Sequence, residues 1–253
     1  MSLSICVMRD ICEMRCKKVS QSLLKFKLGI LKLRFSYYAR FYERFVRGVG
    51  FRRLEATMPL EFQPKLDKIL ELLLYLAHKR PGADKYQAVK FFYLADREHL
   101  RRYGRPITFE HYFAMWYGPV ASNALDFINK NKRTMERAGL ESLPFETEAG
   151  TVRMKSGKTT DTVFIRKPLR EINPDLFSKS DLQVFDEIIA RYKNASFDDL
   201  FNETHGHHAY KRAWENRPRN AERADMLYDE MIEDKARRAE LVEDISPVAA
   251  HLK

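Results

Sequence analysis

The charge of this chain changes character after Thr57, and that break limits which residues fold together. Met1 to Thr57 holds 13 Lys/Arg against 4 Asp/Glu, whereas Met58 to Lys253 holds 32 against 31. Of the formal charge of +10, +9 therefore belongs to the leading segment. The body is electrically balanced, so its composition does not imply a broad phosphate-binding surface, and nucleic acid is not its expected partner. The body is long enough for one large hydrophobic core. No apolar run reaches the roughly 18 residues that a spanning helix needs, so no membrane span is expected.

Cysteine usage breaks at the same place. Cys6, Cys12 and Cys16 are the three in the chain, so no disulfide can staple the body. That pattern fits a reducing, cytoplasmic setting. The cysteine spacing matches no common zinc pattern, and the first histidine is His78.

Residues 1–57 read as a basic N-terminal arm. No acid occurs between Glu13 and Glu43, and Lys25-Phe26-Lys27-Leu28 and Lys32-Leu33-Arg34-Phe35 alternate basic with apolar residues. A secretory signal would need an uninterrupted apolar stretch and a small-residue cleavage site, and neither is present. Three readings stay open. The arm is an amphipathic segment for a membrane surface or nucleic acid, or a transit-like leader, or upstream sequence read from a mis-set start with Met58 as the true first residue. The break directly before Met58-Pro59-Leu60 favours the last.

The body reads as mainly helical. Leu66, Ile69, Leu70, Leu73, Leu76 and Ala77 form a stripe at helical spacing, stopped by Pro81-Gly82. Asp84, with Gln87 three residues on, opens a second helix as a capping box. Val89, Phe92, Tyr93 and Leu100 give it an apolar face, and Gly104 closes it. Phe109 to Tyr117 carries five aromatic residues, which predicts a core strand or helix. Gly118-Pro119 punctuates the chain, and a helix is expected from Pro119 to Lys130. Lys130, Lys132, Arg133 and Arg137 follow as a solvated basic run.

At Thr151 the period changes to two. Thr151 to Lys155 and Thr162 to Arg166 predict a β-hairpin around Ser156-Gly157-Lys158, closed by Pro168. Ser178 with Asp181, and Ser196 with Asp199, start two further helices, the second ending at Gly206. Another turn or two covers His207 to Trp214. A charged, mainly helical tail is expected from about Asn220 to Glu243. The fold class is α+β, a mainly α-helical single domain with a small β-hairpin.

There is no glycine-rich phosphate loop, no G-x-S-x-G elbow and no H-E-x-x-H. Asp96 and His99 share a helix face and could form an acid–base pair, but no nucleophile accompanies them, and an internal hydrogen bond is the expectation. His205, His207 and His208 cluster around Gly206, yet three close imidazoles with no further ligand favour a helix end over a zinc site. No catalytic residue, metal or cofactor is assigned, and the chain is not expected to be an enzyme. A hairpin after helices also admits a winged-helix DNA-binding regulator, with Arg153, Lys155, Lys158, Arg166 and Lys167 as wing charges. Exposed hairpins carry such charges for edge protection too.

Several residues together resemble a known family. Lys90, Tyr93, Leu94, Ala95 and Asp96 are followed by Tyr103, Gly104, Arg105, Pro106, Ile107 and Thr108. Then come Tyr117, Gly118, Pro119 and Val120, and finally Leu200, Thr204, His205 and Trp214. In this order they are similar to the signature of SocA-like antitoxins with a Panacea domain. The resemblance implies residues 58–218 as the antitoxin domain, followed by a charged tail over 219–253. It implies a bacterial toxin–antitoxin system, with neutralisation of a cognate toxin encoded by a neighbouring gene through direct binding. It also admits a proteolytic-adaptor role with a protease or chaperone as second partner. Tyr93, Trp116 and Trp214 are expected in the core. His99, Arg101, Arg102, Tyr103 and Tyr112 are the expected toxin-binding residues, since interfaces favour exposed aromatics and arginines.

Overall fold

The computed structural model describes residues 60, 62–154 and 157–249. The arm, its cysteines and the question of the start codon lie outside the described residues, as do Lys155 and Ser156 of the hairpin. Thr57–Lys253 cluster as one compact unit. Its architecture is α+β, with eight helices and two small antiparallel sheets among the described residues.

Helix α1, Leu66–Lys79, is buried from Lys68 to Ala77, all the way round. It therefore sits inside the domain, which explains why its leucines run nearly without interruption. Helix α2, Lys85–Tyr103, is the central element. The Asp84 carboxylate caps it by accepting from the amides of Tyr86 and Gln87 (2.8 and 2.9 Å). Gln87 does not complete a capping box; its amide donates to the carbonyl of Ala195 at 3.4 Å. At the far end Gly104 adopts the left-handed conformation (φ 73°) and returns its N–H to Leu100, the geometry glycine supplies without a Cβ clash. Phe91, Phe92 and Tyr93 are fully buried, and each such side chain contributes about 1.5–3 kcal/mol relative to exposure.

After α2 the chain forms a hairpin where a helix was expected to begin. Strands β1, Tyr112–Met115, and β2, Gly118–Ala121, pair antiparallel with Met115 opposite Gly118, so Trp116 and Tyr117 make the turn. Helix α3 starts only at Ser122 and ends at Ile128. The proline of Gly118-Pro119 serves a strand rather than a first helical turn. A short helix α4, Lys132–Arg137, carries the solvated basic run.

The predicted second hairpin is present and longer than its periodic core. Strand β3, Phe145–Arg153, pairs with β4, Thr159–Pro168. It is tied to the turn before α2 by Gly82 N–H to Ile165 C=O (2.6 Å) and Ile165 N–H to Ala83 C=O (2.8 Å). Arg166 is ion-paired with Glu148 across the strands at 2.7 Å, so one of the supposed wing charges is already engaged.

Helices α5, Lys179–Tyr192, and α6, Phe197–Gly206, each begin with the complete capping box expected from Ser178/Asp181 and Ser196/Asp199. Helix α7, His208–Glu215, follows directly. The next segment differs from expectation. Arg223–Asp225 forms strand β5 on the outer side of β1, giving the sheet order β2-β1-β5. Met226, Tyr228, Met231 and Ile232 are then buried, and only from Lys235 to Ala249 does helix α8 appear. Pairing to β1 overrides the helical tendency of the isolated segment. No helix among the described residues is long and apolar enough to cross a membrane.

Candidate functional site

Two charged side chains of α2, six positions apart, are fully buried: Lys90 and Asp96. A buried charge is costly unless its hydrogen bonds are met, and both meet theirs through the loops that follow the helix. Asp96 accepts from the amides of Ile107 (2.8 Å) and Thr108 (3.0 Å), from the Thr108 hydroxyl (2.6 Å) and from the Tyr112 hydroxyl (2.9 Å). Burial pushes its pKa up, opposed by these donors. The carboxylate thus fixes the Gly104-Arg105-Pro106-Ile107-Thr108 turn against the helix. Tyr228 closes the cluster by donating to the carbonyl of Glu110 at 2.7 Å.

Lys90 does the complementary job. Its Nζ donates to the carbonyls of Tyr117 (2.6 Å) and Pro119 (2.7 Å), on either side of Gly118. Burial pushes its pKa well below the ordinary lysine value, and a neutral amine still has two N–H groups, one for each carbonyl. Gly118 has φ of 94°, a backbone conformation that glycine adopts without a Cβ clash. A Cβ there would lie 2.7 Å from Lys90 Nζ, 3.0 Å from Thr204 Oγ1 and 3.1 Å from His205 Cε1. Two separate stretches of the chain, α2 and the end of α6, therefore converge on one glycine.

His205 continues this support. Its Nδ1 lies 2.7 Å from the carbonyl of Phe201 and its Nε2 3.2 Å from the carbonyl of Trp116. Its ring stacks on Phe201 at 3.6 Å. Tyr210 donates to the carbonyl of Met115 at 3.0 Å. The result is a rigid hairpin turn that projects its two aromatic rings: Trp116 is 67% exposed and Tyr117 46% exposed. Trp116 meets Trp214 edge to face at 6.1 Å, and Tyr117 meets Phe197 at 5.7 Å.

The core assignment of Trp116 is therefore corrected: it sits in the turn, with no strand partner and no layer above it. Trp214 is only half-buried, while Tyr93 is buried as expected. Leu94, Pro106, Gly118 and Pro119 are buried as structural positions, and Val120 is half-buried in β2.

The expected toxin-binding residues separate into two groups. His99 and Tyr112 are buried, and so are not open to a partner. His99 Nδ1 lies 2.8 Å from the carbonyl of Arg105, and Nε2 lies 3.1 Å from both Ser180 Oγ and Asp181. The interactions of Asp181 with His99, Lys68 and the Ser178 amide hold its carboxyl well below the usual range despite burial. Asp96 and His99 thus face different partners and do not form an acid–base pair. Tyr103 is 48% exposed, and Arg101 is exposed, with Arg102 half-buried. Both arginines bond Glu98, and Arg102 also reaches Glu187 at 2.8 Å. These pairs lower the Glu98 pKa to about 2, with the Arg101 hydrogen bond foremost.

The histidines around Gly206 point apart. His205 faces the hairpin, His207 Nδ1 lies 3.2 Å from the Tyr93 hydroxyl, and His208 is exposed. Burial drives His207 down to about 4. Among the described residues no group of three potential ligands is placed to hold a metal.

No curated protein and no solved structure matches the chain. Residues 89–211 match the family model for the antitoxin SocA-like, Panacea domain. That span begins one residue before Lys90 and takes in Asp96, which with Lys90 ties the two loops to α2, and Gly118, Thr204 and His205 at the β1–β2 turn. Over residues 89–211, just under half of its length, the chain is similar to the SocA-like antitoxin family with its Panacea domain.

Proposed function

We propose that this protein neutralises a cognate toxin, encoded by a neighbouring gene, through direct protein–protein contact in the bacterial cytoplasm. The similarity to the Panacea domain supports an antitoxin role in general. The observation that favours contact is the fate of the signature side chains. Lys90, Asp96 and Thr204 are buried and bonded within the fold, while the turn that Lys90 supports holds two large aromatic rings in solvent. Rigid exposed aromatics are the side chains that dominate protein interfaces. The reading requires no catalytic step, metal or cofactor.

The test is co-expression of the adjacent open reading frame with the full chain, scoring growth, complex formation by pull-down and toxin level by blot. Rescue with a stable complex and an undiminished toxin level is the expected result. Rescue in which the toxin disappears only when a cellular protease is present would place the protein as a proteolytic adaptor. A harmless neighbour, or rescue without a complex, would remove direct neutralisation.

A further inference from the structure

The exposed rings of the β1–β2 turn do not stand alone. Trp214 of α7 lies against Trp116, and the guanidinium of Arg217 lies over Trp214 at 3.5 Å from the ring centroid. On the strand next to β1, Arg223 of β5 stands opposite Met115, one residue from Trp116, and covers the ring of Phe113 at 4.3 Å. Guanidinium groups stacked in this way keep their in-plane N–H groups pointing outward. Arg217 uses one of these on the carbonyl of Trp214 and its Nε is buried, which leaves the other terminal nitrogen to meet a carboxylate. Among the described residues neither arginine is in an ion pair, in contrast to Arg101 and Arg102, which share Glu98, and to Arg212, which holds Glu230. From Lys211 to Arg223 the sequence has five basic residues and two acidic ones. The surface around Trp116 thus combines aromatic faces with unpaired cations on a domain that is otherwise balanced in charge.

From this juxtaposition we infer that the face formed by Trp116, Trp214, Arg217 and Arg223 is the docking surface for an acidic segment of the protein partner, with an apolar side chain seated against the two indoles and carboxylates on the two guanidinium groups. This inference rests on the proposed antitoxin reading and names its contact surface and the chemistry of the partner. Carboxylates meet arginine forks in bidentate geometry, and the rings supply apolar contact area that loses little entropy on binding. Single-stranded nucleic acid also likes rings and arginines, but it needs a continuous cationic track, and the body offers 32 basic residues against 31 acidic.

The chain has only two tryptophans, Trp116 and Trp214, so intrinsic fluorescence reads this face directly. The full chain is titrated with a tryptophan-free peptide of Glu and Asp around one Leu, with its Lys counterpart, and with a single-stranded oligonucleotide. The expected result is a change in emission with the acidic peptide alone, weakening as salt rises. No response to the acidic peptide at millimolar concentration, or a stronger response to the oligonucleotide, overturns the assignment. In parallel, the neighbouring-gene protein is titrated by calorimetry into wild type, Trp116→Ala and Arg223→Glu. Trp116→Ala should weaken binding about thirtyfold or more, as central aromatic anchors do, and Arg223→Glu about tenfold with loss of salt dependence. Both side chains are exposed, so both variants should keep the wild-type melting temperature, which is measured alongside. Full-strength binding by both variants overturns the surface while leaving the antitoxin reading standing. A neighbour that neither poisons cells nor binds overturns the antitoxin reading, and the peptide titration still judges the surface.

Discussion

Lys90 and Asp96 sit on one helix, are equally buried, and work in opposite senses. Asp96 is an acceptor surrounded by donors, two of them backbone amides of the turn after α2. Lys90 is a donor between two backbone carbonyls of the β1–β2 turn. Each takes groups that a helix or sheet cannot satisfy and bonds them inside the domain, where water would be excluded. The difference lies in what the two turns then present. The turn held by Asp96 is buried from Pro106 to Glu110. The turn held by Lys90 is lifted to the surface with Trp116 and Tyr117 at its tip. Residue types that look like catalytic chemistry in the sequence are here the means of fixing loops.

The sharpest way to break this comparison is Asp96→Ala. It leaves the Ile107 and Thr108 amides and two hydroxyls without their acceptor. Orphaned backbone amides cannot turn away, as hydroxyls can, so we expect a loss of about 4 kcal/mol. For a domain of this size that lowers the melting temperature by about 8–16 °C. Thermal unfolding followed by circular dichroism checks it. Asp96→Asn, which keeps one acceptor oxygen, should lose half as much or less. A melting temperature unchanged in Asp96→Ala would mean the carboxylate is incidental.

Lys90→Met comes next. The thioether fills similar volume but leaves the Tyr117 and Pro119 carbonyls unpaired. Relief from burying an amine offsets part of that cost, and the net loss should be about 2 kcal/mol. The two variants differ in a second readout. Lys90→Met loosens the turn that carries Trp116 and should shift tryptophan emission at temperatures well below melting. Asp96→Ala acts on the other turn and should shift it less. Equal shifts would show that the two turns move as one unit.

Most of this frame was legible in the sequence, for physical reasons that can be named. Helix starts are local events, so Ser178 with Asp181 and Ser196 with Asp199 announced α5 and α6, and Gly104 announced the end of α2. The hairpin over β3 and β4 showed its period-two alternation. What stayed hidden depends on partners distant in sequence. Gly118-Pro119 looks like a helix start, because nothing local reveals that Lys90 draws its flanking carbonyls inward. Strand β5 is three residues long, too short to alternate, and exists because β1 offers it an edge. Residue type alone also misplaced Trp116, since an indole in a two-residue turn points wherever the turn points. Residue type likewise suggests His99 and Tyr112 as binding residues, whereas both are buried. Arg223 lacked any signal, because its stacking on Phe113 follows from the β1–β5 pairing.

The smallest effect is expected at Tyr103, the remaining aromatic of the end of α2. Its ring lies 4.6 Å from that of His99, and nearly half of it is exposed. Tyr103→Ala removes a partial cover from a buried histidine and should cost about 1 kcal/mol or less. Its effect on partner binding separates the two exposed ends of the domain. Arg101 and Arg102 beside it are engaged with Glu98, so a carboxylate partner there would have to displace an existing pair and gain little. The rings beside Arg217 and Arg223 carry no such competitor among the described residues. Calorimetric titration of Tyr103→Ala with the neighbouring-gene protein should therefore give an affinity within about twofold of wild type, well short of a hot-spot loss. A loss as large as that of Trp116→Ala would extend the contact surface to the end of α2. A loss in Tyr103→Ala with none in Trp116→Ala would move the surface there altogether, with Tyr103 as anchor and Glu98 releasing its arginines on binding.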